Sequence, residues 1–179
     1  MKKLLSLIAL GMLAPMASVN AEMPVFSETY DIEPAYCEGL NLHGVMYSFT
    51  VDGSPSMACM AGTYTGPGIT NNIDAPNIEG TSAGILHLTF DVPTTIISFG
   101  IAQNTFSGNQ AVYVDLYRPG VGLVREEVML DLLADPGFVG GLFEYDGPAV
   151  KTMTISHSTI SSRFAIDNLM YFRPKGQMK

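Results

Sequence analysis

From Val45 onward the chain offers a short β-rich run about every ten residues, each closed by Gly, Pro, Asn or Asp. The runs are Val45–Val51, Ile85–Phe90, Thr95–Ile101, Ala111–Tyr117, Leu123–Leu130, Val139–Tyr145, Val150–Ser156 and Phe164–Phe172. This spacing fits a sandwich or barrel of hairpin-linked strands, not βαβ units. Asp52-Gly53-Ser54-Pro55 and Asp91-Val92-Pro93 read as turns, and residues 62 to 80, rich in Gly, Pro, Asn and Thr, read as a long loop. Only Glu126 to Ala134 has helix-forming character, and Pro136 and Gly137 end it. With no repeat, linker or low-complexity tail, one all-β domain is expected.

The amino terminus points to export. Met1-Lys2-Lys3 is basic, Leu4 to Leu13 is a short apolar stretch, and Val19-Asn20-Ala21 places small residues at the −3 and −1 positions of a cleavage site. Residues 1–21 therefore read as a signal peptide and residues 22–179 as the β-sandwich domain, periplasmic or extracellular. No later stretch is long and apolar enough to span a bilayer, and the first cysteine, Cys37, is too distant for a lipoprotein anchor. Loss of Lys2 and Lys3 leaves 17 acidic residues against seven basic ones, so the charge falls from −8 to about −10. An acidic chain without a Lys/Arg cluster is not a nucleic-acid binder. Cys37 and Cys59, the only two cysteines, are expected to form a disulfide in an exported protein. Their spacing matches no Cys/His metal motif.

The last run, Arg163-Phe164-Ala165-Ile166-Asp167-Asn168-Leu169-Met170-Tyr171-Phe172, is the most informative single segment. Phe164 and Ile166 alternate with Ala165 and Asp167, the period of a half-buried strand. An ionised carboxylate in so apolar a strand needs a cation or several hydrogen-bond donors. The segment resembles the closing strand of secreted bacterial jelly-roll β-sandwich domains of the kind found in PEP-CTERM-type exported proteins, which are distantly similar to carbohydrate-binding modules. Gly80 to Pro93 looks like that group's glycine-rich turn and following strand. Val112 to Tyr117, Phe138-Val139-Gly140 and Val150 to Ile155 are similar to further strands of it. The resemblance implies an antiparallel jelly roll and a secreted setting. It also puts Asp167 and Glu28 forward as ligands of one structural Ca²⁺, with backbone carbonyls completing the shell. Ser27 separates Phe26 from Glu28 and turns Glu28 to Phe26's own face. Backbone amides as the partners of Asp167 are the alternative.

Other chemistry is sparse. Gly80-Thr81-Ser82-Ala83-Gly84 matches Gly-x-Ser-x-Gly, but the nucleophile elbow needs a strand before it and a helix after it. Here Asn77-Ile78-Glu79 reads as loop and a strand follows, so Ser82 is read as a turn residue. His43, His87 and His157 lie far apart, and no spacing ties them, Asp115 or Asp131 to Ser82. Tyr64 and Phe106 are the loop aromatics placed to bind a ligand; most strand aromatics are expected in the core. The reading is a secreted, non-catalytic β-sandwich that binds an extracellular ligand such as a glycan, or serves an envelope or matrix structure. A small secreted hydrolase is the alternative.

Overall fold

The computed structural model describes residues 25–62, 72–105, 110–132, 138–158 and 162–172. Among the described residues twelve strands form one antiparallel sheet. In chain order they are β1 (Val25–Glu28), β2 (Ala35–Tyr36), β3 (Asn41–Leu42), β4 (Val45–Val51), β5 (Ser54–Pro55), β6 (Cys59–Ala61), β7 (Ile78–Thr81), β8 (Gly84–Asn104), β9 (Gln110–Arg118), β10 (Gly122–Leu132), β11 (Phe138–His157) and β12 (Arg163–Phe172). No helix occurs among the described residues.

Two long strands turn this one sheet into a sandwich. The first part of β8, Gly84–Phe90, pairs with β4, while Ile97–Gln103 pairs with β12. In parallel, Phe138–Asp146 of β11 pairs with the second part of β8, and Thr152–Ile155 pairs with the first part. The register slips between Asp146 and Val150 and again before Thr152, where β11 bends. Layer one therefore holds β3, β4 and β5, the first part of β8, the second part of β11, then β9 and β10. Layer two holds β2, β6, β7, β1 and β12, the second part of β8 and the first part of β11. The turn expected at Asp91–Pro93, and the gap between the runs ending at Tyr145 and starting at Val150, are bends inside continuous strands. Pro93 and Pro148 are both exposed there, where no interior ladder bond is asked of them.

Alternation fills the space between the layers. Val45, Tyr47 and Phe49 of β4, Leu86, Leu88 and Phe90 of β8, and Val112, Val114 and Leu116 of β9 face inward from layer one. Ile97, Phe99 and Ile101 of β8 and Phe164, Ile166, Leu169 and Tyr171 of β12 face them from layer two. Ring pairs cross the gap: Phe49 to Phe164 at 6.1 Å and Phe90 to Tyr171 at 5.6 Å between centroids. Cys37 and Cys59 form the expected disulfide, with Cα atoms 5.4 Å apart. A closed loop of 22 residues contributes about 3 kcal/mol by restricting the unfolded chain.

Two local expectations are corrected. Residues 126–132, helix-formers by composition, lie in strand β10, because pairing of Gly122–Leu130 with β9 overrides weak helical propensity. Ile78 to Gly80, read as the end of the long loop, and Thr81, read in the glycine turn, form strand β7, which lies between β12 and β6. Ile78 is fully buried there. Tertiary pairing supplies what so short a stretch does not show as a pattern.

Candidate functional site

The outer face of layer one is where the described chain sets diverse side chains in ordered, accessible rows. Cross-strand partners share a face, so the register can be followed across five strands. Met46 lies opposite Thr89, Thr89 opposite Thr152, Thr152 opposite Tyr117 and Tyr117 opposite Leu123. The next row runs Ser48, His87, Thr154, Asp115, Arg125. Beyond it Ser156 pairs with Tyr113, and Tyr113 with Glu127. The hydroxyl residues of these rows are half-buried, and Tyr117 keeps 48 % of its surface.

Several of these groups are already held in place. Arg125 grips Asp115 in a two-pronged ion pair, Nε to Oδ1 at 2.7 Å and Nη2 to Oδ2 at 2.8 Å. Its guanidinium carbon lies 5.1 Å from the centre of the Tyr113 ring. The Arg125 hydrogen bonds pull the Asp115 carboxyl below its ordinary range. His87 Nε2 lies 2.9 Å from Thr50 Oγ1, and partial burial lowers its pKa, which favours the neutral ring. The face therefore presents a tyrosine ring, a fixed guanidinium–carboxylate pair and a field of hydroxyls. Such a surface makes many neutral hydrogen bonds and one flat apolar contact. Tyr113 and Tyr117 stand on strands, where aromatics were expected in the core; both point outward.

The outer face of layer two is built differently. Residues 72–77 lie across it, with Ile73 packed on Ala102 and Ala165 and fully buried. Small residues allow this approach: a Cβ at Gly100 would come within 2.0 Å of the Asn72 carbonyl oxygen. Asp167 sits beneath the cover, opposite Gly100 and almost wholly buried. A bulge follows it, with Asn168 at a φ of 54°. The Asp74 amide donates to Asp167 Oδ2 at 2.8 Å, while Oδ1 is buried with no hydrogen-bond partner among the described residues. Burial pushes the carboxyl up to about 6, although the Asn168 and Asp74 amides draw it down.

Glu28 lies opposite Leu169. Its Oε1 accepts from the Tyr30 amide at 3.1 Å and its Oε2 lies 2.6 Å from His43 Nδ1. Both carboxylate oxygens are thus engaged. Among the described residues no group of three or more His, Cys, Asp or Glu side chains is placed to hold a metal. Asp167 thus meets one of the backbone amides that the alternative reading asks for, and Glu28 is held by the Tyr30 amide and His43. Tyr64 and Phe106, the loop aromatics, lie outside the described residues.

Ser82 is a structural staple. Its hydroxyl donates to the Ser162 carbonyl at 2.8 Å and accepts from the Ser162 amide and hydroxyl, each at 3.0 Å. Gln103 Nε2 donates to the same Ser162 hydroxyl at 2.6 Å. No hydrogen bond joins Ser82 to a histidine among the described residues. His157 is buried, stacked 4.8 Å from the Phe164 ring, and burial alone lowers its pKa to about 4. Strand β7 precedes Ser82 and strand β8 follows it, so no helix stands where a nucleophile elbow requires one.

No protein-family model matches the chain, and no curated protein matches it in sequence. Solved structures show partial likenesses. A variant of a family 29 carbohydrate-binding module superposes with a TM-score of 0.45 at 10 % identity, covering 84 % of this chain and 92 % of that one. A cleaved adhesin domain of Lys-gingipain from Porphyromonas gingivalis gives 0.46 at 13 % identity, covering 86 % and 99 %. A family 61 module in complex with β-1,4-galactotriose gives 0.42 at 10 % identity, covering 72 % and 88 %.

Proposed function

We propose that this protein is an exported, non-catalytic β-sandwich that binds an extracellular glycan on the outer face of layer one. The observation that carries the reading is the register that brings Tyr117, Tyr113, the Arg125–Asp115 pair and the hydroxyl rows onto one open face. A sugar offers what this face complements: C–H faces for a ring, and hydroxyls that both donate and accept. Arg125 is already neutralised by Asp115, and Glu127 adds a further carboxylate, so the face favours neutral over acidic chains. The disulfide agrees with an oxidising compartment. No helix among the described residues is long and apolar enough to cross a membrane.

Calorimetry of the folded protein against a panel of neutral and uronate-containing hexaoses tests the reading. Binding to at least one neutral chain, weakened at least tenfold by Tyr117→Ala at unchanged melting temperature, is the expected result. Binding that Tyr117→Ala and Tyr113→Ala both leave intact would place the ligand elsewhere. Absence of binding across the panel would leave an envelope or matrix role as the better reading.

A further inference from the structure

We propose that the splayed corner between β10 and β11 is a docking groove for an extended, basic peptide that adds to the free edge of β10 as a further strand. The two strands begin as a hairpin: Leu132 pairs with Val139 and Asp131 with Gly140. From there β10 follows β9 into layer one and β11 follows β8 into layer two. At the apex they still touch, since a Cβ at Gly141 would lie 3.1 Å from a Val128 methyl and 3.4 Å from the Met129 carbonyl oxygen. Farther along they part around a cavity of about 300 Å³, with Val128, Met129, Leu142 and Phe143 among its walls.

Both strands present unused backbone to this opening. Over Gly122–Leu130, β10 pairs only with β9 among the described residues, and beyond Gly140 the first part of β11 pairs only with β8. A row of unpaired N–H and C=O groups is a template for another strand, and peptides are commonly held that way. Val128 packs against the core and Phe143 is buried, while Met129 and Leu142 are exposed, so small apolar side chains can settle on them.

Charge selects the occupant. Glu126, Glu127 and Glu144 line the opening. The cation beside them, Arg118, reaches Glu126 only at 4.0 Å and rests over the Tyr145 ring. Among the described residues these three carboxylates face the Arg118 guanidinium, while the neighbouring Arg125 is taken up by Asp115, so the rim is negative and attracts lysine and arginine and repels acidic chains. The cavity lies at the small end of ligand pockets and suits a few residues, with the remaining strand lying along the β10 edge.

The test is an NMR titration of the intact, isotope-labelled protein at low salt with an end-capped seven-residue peptide of alternating Lys and Val. Shifts should concentrate at residues 126–129 and 142–144. A peptide of equal charge with Pro at its centre should bind at least tenfold more weakly, because it lacks the central N–H and breaks the extended pairing. The double variant Glu126→Gln, Glu144→Gln should bind at least fivefold more weakly and melt at the wild-type temperature. Equal affinity for the Pro peptide would mean charge attraction without strand addition and would overturn the proposal. So would undiminished binding by the double variant, or the absence of shifts in the groove.

Discussion

The two outer faces of this sandwich come from the same alternating pattern, yet one is open and the other is roofed. On layer one the outward positions of β8, β9 and β10 carry His87, Tyr113, Asp115, Tyr117 and Arg125, which meet solvent or one another. On layer two they are small, Gly100, Ala102 and Ala165, and residues 72–77 settle onto them. A carboxylate has opposite fates in the two settings. Asp115 is paired with Arg125 and held below its usual range, whereas Asp167 is buried and raised to about 6. Alternation decides which residues face outward. What covers them decides whether they become a surface or a second small core.

The largest effect expected is from Phe164→Ala. This ring meets Phe49 across the layers and stacks on His157, so its loss should cost about 3–5 kcal/mol in denaturant unfolding. Both layers should then unfold in one transition. Separate transitions would mean that the two faces rest on independent cores.

Next come the two buried titrating groups, which act in opposite directions. His157 has its folded pKa lowered from 6.5 to about 4. As pH falls below about 6.5 the unfolded chain protonates first, and stability is lost progressively down to about pH 4, in all about 3 kcal/mol. Asp167 has its folded pKa raised from 3.8 to about 6. Here the folded state protonates first, and stability is gained as pH falls from about 6 to 3.8, by a similar amount. The wild type should therefore show a shallow net slope from these two groups. Asp167→Asn should steepen the loss in acid, and His157→Leu should turn the slope toward gain. Identical pH profiles for both variants would contradict the burial assigned to them. EDTA should leave the melting temperature of the wild type unchanged, since the Asp74 amide meets the Asp167 carboxylate. A fall seen in wild type but not in Asp167→Ala would restore the Ca²⁺ reading.

Gly100→Ala sharpens the contrast between the faces at a smaller scale. The new methyl would strike the Asn72 carbonyl and should cost about 1–3 kcal/mol, with faster hydrogen exchange confined to residues 72–77. An ordinary stability and an unchanged exchange pattern would mean that the cover does not lie on the sheet.

Much of the fold was legible because strand alternation is local. The eight runs read from Val45 to Phe172 all lie in strands, and Phe164 and Ile166 share one side as the alternation has it, but the strand read as half-buried is buried on both sides, because residues 72–77 cover Ala165 and Asp167. The continuity of β8 through Pro93 was not legible, because a proline at an exposed bend looks like a proline in a turn. Strand β7 was hidden for a related reason: Ile78–Thr81 is held by β6 and β12 rather than by its own composition. The candidate face was only half legible. Alternation sets Tyr113, Asp115 and Tyr117 on one side of β9, but Arg125 joins them through the β9–β10 register, and His87 and Thr154 through β8 and β11. Which strands are neighbours is a property of the folded chain that spacing along it does not encode.

The most direct test is the footprint of a neutral hexaose that binds in calorimetry, mapped by NMR on the labelled protein. Shifts are expected at Tyr113, Asp115, Tyr117 and Arg125 on layer one, with residues 72–77 and Asp167 silent. Shifts centred on the 72–77 cover, with Tyr113 and Tyr117 unmoved, would contradict a glycan site on layer one.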